Sequence, residues 1–164
     1  MTQGPACVFM YSTYFPPEFS GAAKQAVSLA KELRKLGVET TFLTVRSPGT
    51  GWRETHEGFP VYRFRFFRRV PLGEFLFWGR MFLFLLRRRR SFNWLHSHGA
   101  YYTNSGLAWM AGLLGKKSVF KVSLEKNDLA GINGGWRGRL HRAFLARADR
   151  LVAISGEIAQ EIAA

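Results

Sequence analysis

Acidic residues are scarce in this chain, and cysteine more so. The single cysteine, Cys7, cannot close an internal disulfide, which fits a reducing, cytoplasmic setting. It lies in an apolar run and reads as a small core residue rather than a nucleophile. No basic start precedes an apolar stretch over 1–5, so no signal peptide is expected. The longest greasy segment, Phe75 to Leu86, contains Gly79 and Arg80 and falls short of the roughly 18 residues that cross a bilayer. No Walker lysine and no complete G-x-G-x-x-G follows the first strand, which argues against an ordinary nucleotide-binding α/β protein. No Ser/His/Asp triad or paired-carboxylate site stands out.

What is abundant is positive charge. Lysine and arginine number 24 against 11 acidic residues, a net charge of +13. Nucleic acid, anionic lipid and phosphorylated small molecules all suit such a surface. Nine arginines fall between Arg63 and Arg90, opposed there only by Glu74.

With 47% hydrophobic and 21% charged residues, the chain has the makings of a folded core, and its 164 residues fit one domain, 1–164. Ala6 to Tyr11 is a continuous apolar run, the pattern of a strand buried on both faces. A helix over Gly21 to Leu36 follows, with Ala23, Ala26, Val27, Ala30 and Leu33 on one side, Ser20 as N-cap and Gly37 just past its end. Val38 to Val45 is a second strand, completing a βαβ unit and implying parallel pairing.

Beyond it, Arg46 to Gly58 reads as a polar loop and Pro60 to Phe66 as an exposed strand. Gly73 to Arg90 reads as a helix that is apolar nearly all round. Strands over Phe92 to Ser97, Lys117 to Leu124 and Asp149 to Ile154 alternate with helices over Tyr102 to Leu114 and Trp136 to Arg147. Ser155 caps a last helix. Five or six strands alternating with helices predict an α/β fold, a Rossmann-like doubly wound parallel sheet. The pattern stops inside that last helix, so the chain is expected to continue.

Three blocks carry a resemblance. Tyr14-Phe15-Pro16-Pro17 precedes Ser20-Gly21-Ala22-Ala23, then Leu29-Ala30-Lys31-Glu32-Leu33 and Gly37-Val38-Glu39-Thr40-Thr41. Leu95-His96-Ser97-His98-Gly99 follows, and Arg147-Ala148-Asp149-Arg150-Leu151-Val152-Ala153-Ile154-Ser155 closes the set. In this order and spacing they resemble the N-terminal, acceptor-side domain of retaining GT-B glycosyltransferases, family four. The chain departs from that pattern at Ser20, usually glycine, and at Val38, usually histidine. Val122-Ser123-Leu124-Glu125 stands where many members carry Thr-x-His.

The resemblance implies a hexosyltransferase that moves a sugar from a nucleotide-diphosphate donor to a glycan or lipid-linked acceptor. The setting would be the cytoplasmic membrane face, with the protein peripheral there. It implies no tightly bound cofactor and no metal. The donor-binding domain is absent from this chain, which alone is therefore expected to be inactive and to need that domain or subunit as partner.

The candidate site residues cluster at strand ends. The Ser20–Gly21 loop opens the first helix, where backbone N–H groups and the helix dipole favour an anion. Family analogy turns it toward the donor pyrophosphate; an ordinary strand–helix turn is the alternative. His98 ends a strand beside Gly99, and in the family the matching histidine lies near the reaction centre. A structural histidine is the competing reading. His96 should share the face of His98, with a structural role. The pair has no third ligand nearby to make a metal site. Tyr14, Lys121, Glu125 and Asp128 are candidates for substrate contacts.

The basic aromatic segment admits three readings. Arg87, Arg88, Arg89 and Arg90 suit a solvated helix end, where cations meet the negative dipole. With Trp78 and Phe82 they also suit a helix lying in a membrane interface, apolar side in lipid and arginines on anionic headgroups. A nucleic-acid patch is the third. A non-catalytic basic module for anionic membrane or RNA is accordingly the alternative function.

Overall fold

In the computed structural model, residues 6–67, 73–122 and 135–163 are described. Seven strands form one sheet: β1 (Cys7–Ser12), β2 (Glu39–Val45), β3 (Arg53–His56), β4 (Phe59–Phe64), β5 (Trp94–His98), β6 (Lys117–Val122) and β7 (Arg150–Ala153). The helices are α1 (Gly21–Lys35), α2 (Gly73–Arg87), α3 (Tyr102–Leu113), α4 (Gly135–Leu145) and α5 (Gly156–Ala163). Strand order is β3-β4-β2-β1-β5-β6-β7, and every pairing is parallel except β3 with β4. This is the doubly wound sheet expected.

Right-handed crossovers decide which face each helix covers. From β1 to β2 the chain moves one way, and α1 lies on one face. From β4 to β5, and on to β6 and β7, it moves the other way, so α2, α3 and α4 lie on the opposite face. Period-two alternation feeds both cores. Met10, Phe42 and Val61 pack with Phe15 and the small side of α1, namely Ala23, Ala26, Val27 and Ala30. Phe9, Tyr11, Leu43, Phe64, Leu95 and Phe120 pack beneath α2, α3 and α4.

The helix ends follow the chemistry of the caps. Ser20 Oγ accepts the Ala23 amide at 3.1 Å, and Ser155 Oγ accepts the Ile158 amide at 3.3 Å. Gly37, at φ +75°, closes α1, with its amide on the Arg34 carbonyl and the Val38 amide on the Leu33 carbonyl. That two-bond closure needs a left-handed residue, which glycine adopts without a Cβ clash.

Three sequence expectations need correction. The strand read over Pro60 to Phe66 is not exposed, because β4 lies inside the sheet between β3 and β2 and Val61, Tyr62, Arg63 and Phe64 are buried. The Arg46 to Gly58 stretch is not all loop, because β3 pairs antiparallel with β4 through a turn at Glu57 (φ 50°) and Gly58 (φ 79°). A two-residue turn with both residues at positive φ matches strand twist, and an X-Gly pair is its sequence mark. Trp78 does not face outward. It shares the inner phase of α2 with Phe77, Met81 and Leu85, is 6% exposed, and donates Nε1 to the Thr103 carbonyl at 3.3 Å. Phe82 is half-buried beside Trp109, at 6.4 Å between ring centroids. The outward stripe of α2 is instead Phe75, Leu76 and Leu83 with Arg80 and Arg87. Among the described residues no helix is long and apolar enough to cross a membrane.

The seat of Trp78 fixes the spacing of α2 and α3. A Cβ on Gly106 would lie 2.6 Å from Trp78 Cε2, inside any tolerable contact. Gly106→Ala is expected to destabilise the domain by about 1–3 kcal/mol despite its better helix propensity. Urea denaturation checks this, and pairing it with Trp78→Phe should recover part of the loss.

Candidate active site

The strand order reverses between β1 and β5. Connections leave these two neighbours in opposite directions, so their C-terminal ends frame a crevice, the usual ligand position in open α/β sheets. Ser12 and His98 are register partners across it. His98 shares a face with His96, their rings stacked at 4.4 Å, and that is the face covered by α1. Lys121, beside His98 on β6, donates Nζ to Gln25 Oε1 at 2.6 Å, which ties the second turn of α1 to the rim.

His98 is 5% exposed, and among the described residues neither ring nitrogen meets a hydrogen-bond partner. Burial, then the neighbouring His96 and Lys121, pull its pKa down to about 3. Burial, then Lys121, take His96 down to about 4. Both imidazoles are therefore neutral at physiological pH. A neutral ring offers one donor and one acceptor, so His98 is fitted to hydrogen-bond a hydroxyl and not to supply positive charge.

On the other side of the sheet, one amide joins the crevice walls. Asn104 Nδ2 donates to Ser97 Oγ at 2.8 Å and to the Gly99 carbonyl at 2.9 Å. Its Oδ1 accepts from Thr13 Oγ1 and Thr103 Oγ1, each at 3.1 Å. The loop after β1 is thus clamped to the turn after His98, where Gly99 holds φ at 112°. Arg63 anchors the same loop from β4. It is 2% exposed, and it donates Nη2 to the Pro16 carbonyl and Nε to Glu54 Oε2 at 3.0 Å. The Gly51 amide first, and Arg63 with it, hold the Glu54 carboxyl below its usual range.

The sequence-predicted residues fall into three groups. Ser20, Gly21, His98 and Lys121 come together at the C-terminal rim, on the α1 face. Among the described residues, apart from its own helix and chain neighbours, nothing lies within 4 Å of a Cβ built on Gly21. Tyr14 stands on the same rim in the β1–α1 loop, 46% exposed. Glu125 and Asp128 lie outside the described residues. Asn104, Thr13, Gln25 and Arg63 were not singled out from sequence. They act mostly through partners distant in sequence, Thr13 for Asn104, Lys121 for Gln25 and Pro16 for Arg63, and nothing local marks them.

A family model described as "Glycosyl transferase 4-like domain" matches residues 20–164. Among solved structures, sucrose-phosphate synthase from Thermosynechococcus elongatus is similar, with a TM-score of 0.65 at 14% identity. The match covers 96% of this chain and 44% of that one. MurG from Acinetobacter baumannii superposes with a TM-score of 0.59 at 14% identity, covering 91% of this chain and 40% of that one. The chain thus spans less than half of either structure, and at this identity the likeness establishes the fold alone. No curated protein matches the sequence.

The buried histidines make stability depend on pH. The unfolded chain takes up a proton on His98 near 6.5, the folded chain only near about 3. Between those values the unfolded state binds more protons, so stability is intact above the window and falls as pH drops through it. At pH 5 this group alone removes about 2 kcal/mol relative to pH 8. His141, taken down to about 4 by burial and Arg137, adds in the same direction, as does His96. Urea midpoints are expected to fall between pH 8 and pH 5, and to fall less in His98→Gln.

Proposed function

This chain belongs to the glycosyl transferase 4-like family, and on that footing we propose that it is the acceptor-side half of a two-domain retaining glycosyltransferase. The enzyme transfers a hexose from a nucleotide-diphosphate sugar to a glycan or lipid-linked acceptor at the cytoplasmic membrane face. The observation that carries this reading is His98: a neutral, buried imidazole with two unpartnered nitrogens among the described residues, at the strand-order reversal.

The division of labour in this reading draws on the geometry of the rim. The first amides of α1 have no preceding helical carbonyls to bind, and the dipole leaves partial positive charge there. Ser20 and Gly21 therefore present a polar edge to the donor pyrophosphate, held mainly by the second domain. His98 hydrogen-bonds a hydroxyl of the transferred sugar or of the acceptor. In the transfer, the bond from the anomeric carbon to the diphosphate oxygen breaks and a bond to the acceptor oxygen forms. The nucleoside diphosphate leaves with the bonding electron pair, its departing oxygen takes the proton lost by the acceptor hydroxyl, and the developing charge lies toward the start of α1. Tyr14 and Lys121 border the acceptor side. The outward stripe of α2, Phe75, Leu76 and Leu83 with its arginines, supports the membrane placement.

The test is turnover by the full-length, two-domain protein. His98→Ala is expected to lower kcat by roughly 10²-fold, with a smaller change in KM for the donor. Turnover within a few-fold of the parent would remove His98 from the site and with it the main support for this reading.

A further inference from the structure

Away from the crevice, α2 and the strand edge enclose a second concavity. It is a groove of about 710 Å³ lined by Arg46 beyond β2, Arg65 beyond β4, Trp52, Arg80, Leu83, Phe84 and Arg87 of α2, and Arg88 just past its end. Its floor is aromatic. Trp52 packs edge-on against Tyr62, Phe64 and Phe84 at 5.3–5.9 Å, and the Arg88 guanidinium lies over Tyr62 at 4.7 Å and Phe84 at 5.0 Å. Trp52 is nonetheless 50% exposed and Leu83 48%.

The charge here is only partly compensated. Among the described residues no carboxylate lines the groove, and Arg65, Arg80, Arg87 and Arg88 form no ion pair, while Arg63, also in the lining, is paired with Glu54 and Arg46 acts on the same carboxylate. Glu54, nearby in sequence, is engaged by Arg63 and the Gly51 amide. Arg80 and Arg87 sit two turns apart on one helix face, roughly 10 Å along the axis. One compact anion cannot meet both, whereas a surface that carries many phosphates can. Guanidinium is the cation best matched to phosphate oxygens. Leu76 and Leu83 alternate with Arg80 and Arg87 along that same outward line, and half-exposed Trp52 adds an aromatic rim. Cations interleaved with apolar groups at one level are what a headgroup layer above acyl chains accommodates.

We propose that this groove seats phosphate headgroups of an anionic bilayer, while Leu76, Leu83 and Trp52 enter the interface beside it. The proposal rests on the membrane placement given above and not on the transfer chemistry. It replaces Trp78 and Phe82 as the lipid-facing groups, and it adds Arg46 and Arg65 from the strand ends to the helix arginines. The contact is a built recess with two walls, not a helix tail of four arginines.

Co-sedimentation of the full-length protein with vesicles tests it. Phosphatidylcholine vesicles containing phosphatidylglycerol are expected to bind the protein in a salt-sensitive way, and pure phosphatidylcholine vesicles to leave it in solution. Arg80→Gln with Arg87→Gln should weaken binding roughly fivefold per arginine removed, and Trp52→Ala should weaken it further. The matched pair Lys31→Gln with Lys35→Gln, on the opposite sheet face, should leave it unchanged. An equal loss in both pairs reduces the effect to net charge and overturns the groove, while the membrane placement stands. No binding to anionic vesicles overturns both. Groove-dependent RNA binding without vesicle binding, or displacement from vesicles by soluble glycerol phosphate, also sinks the proposal. His98→Ala should bind vesicles as the parent does, which keeps a failure of the transfer reading separate. Unfolding midpoints of the exposed-arginine variants establish that they are folded.

Discussion

Everything in this domain that faces the crevice depends on β1 and β5 being neighbours. They are far apart in sequence, and α2 is the element that brings them together by carrying the chain from β4 back across the sheet. Its inner side must therefore pack on several strands and its flank on α3. This explains why it is apolar on so much of its circumference, and why Trp78 is locked against Gly106. The same helix that brings the crevice walls together leaves its other flank over the sheet edge, where the arginine groove forms. Site and groove are two products of one crossover.

Two buried, neutral imidazoles beside a lysine are the chemical signature of the rim. His98 lies beneath the cationic Lys121 and against a second imidazole, in a place that penalises any further positive charge. The start of α1 carries the partial positive charge of a helix N-terminus. The clamp at Asn104 lets these contributions act at fixed spacing, since it ties the loop leading toward α1 to the turn that follows His98.

Legibility from sequence followed the range of the interactions. Alternating apolar runs, Ser20, Ser155 and Gly37 are local signals, and the strands, caps and helix ends they imply are present. The strand end at His98 was legible because a strand stopped by glycine is a local signal too. The β3 hairpin was hidden because Arg53 to His56 is polar and lies at the sheet edge, where pairing does not require apolar residues on both faces. The orientation of Trp78 was hidden because a helix with apolar residues nearly all round does not announce its inner side. Only Gly106, 28 positions later in the sequence, marks that side. Asn104 and Arg63 bind loops and strands that only the fold brings near.

Arg63 shows how far such a dependence reaches. Its guanidinium is removed from water inside the sheet, and its compensation comes from Glu54 on the β3 hairpin and from the Pro16 carbonyl. Removing one partner of a buried pair strands the other, whereas replacing both with apolar groups is often neutral. Positions 54 and 63 are therefore coupled energetically: loss of the acid alone strands a buried guanidinium and loosens its hold on the β1–α1 loop. The hairpin at the sheet edge, distant from the crevice, in this way helps to fix one of the crevice's walls.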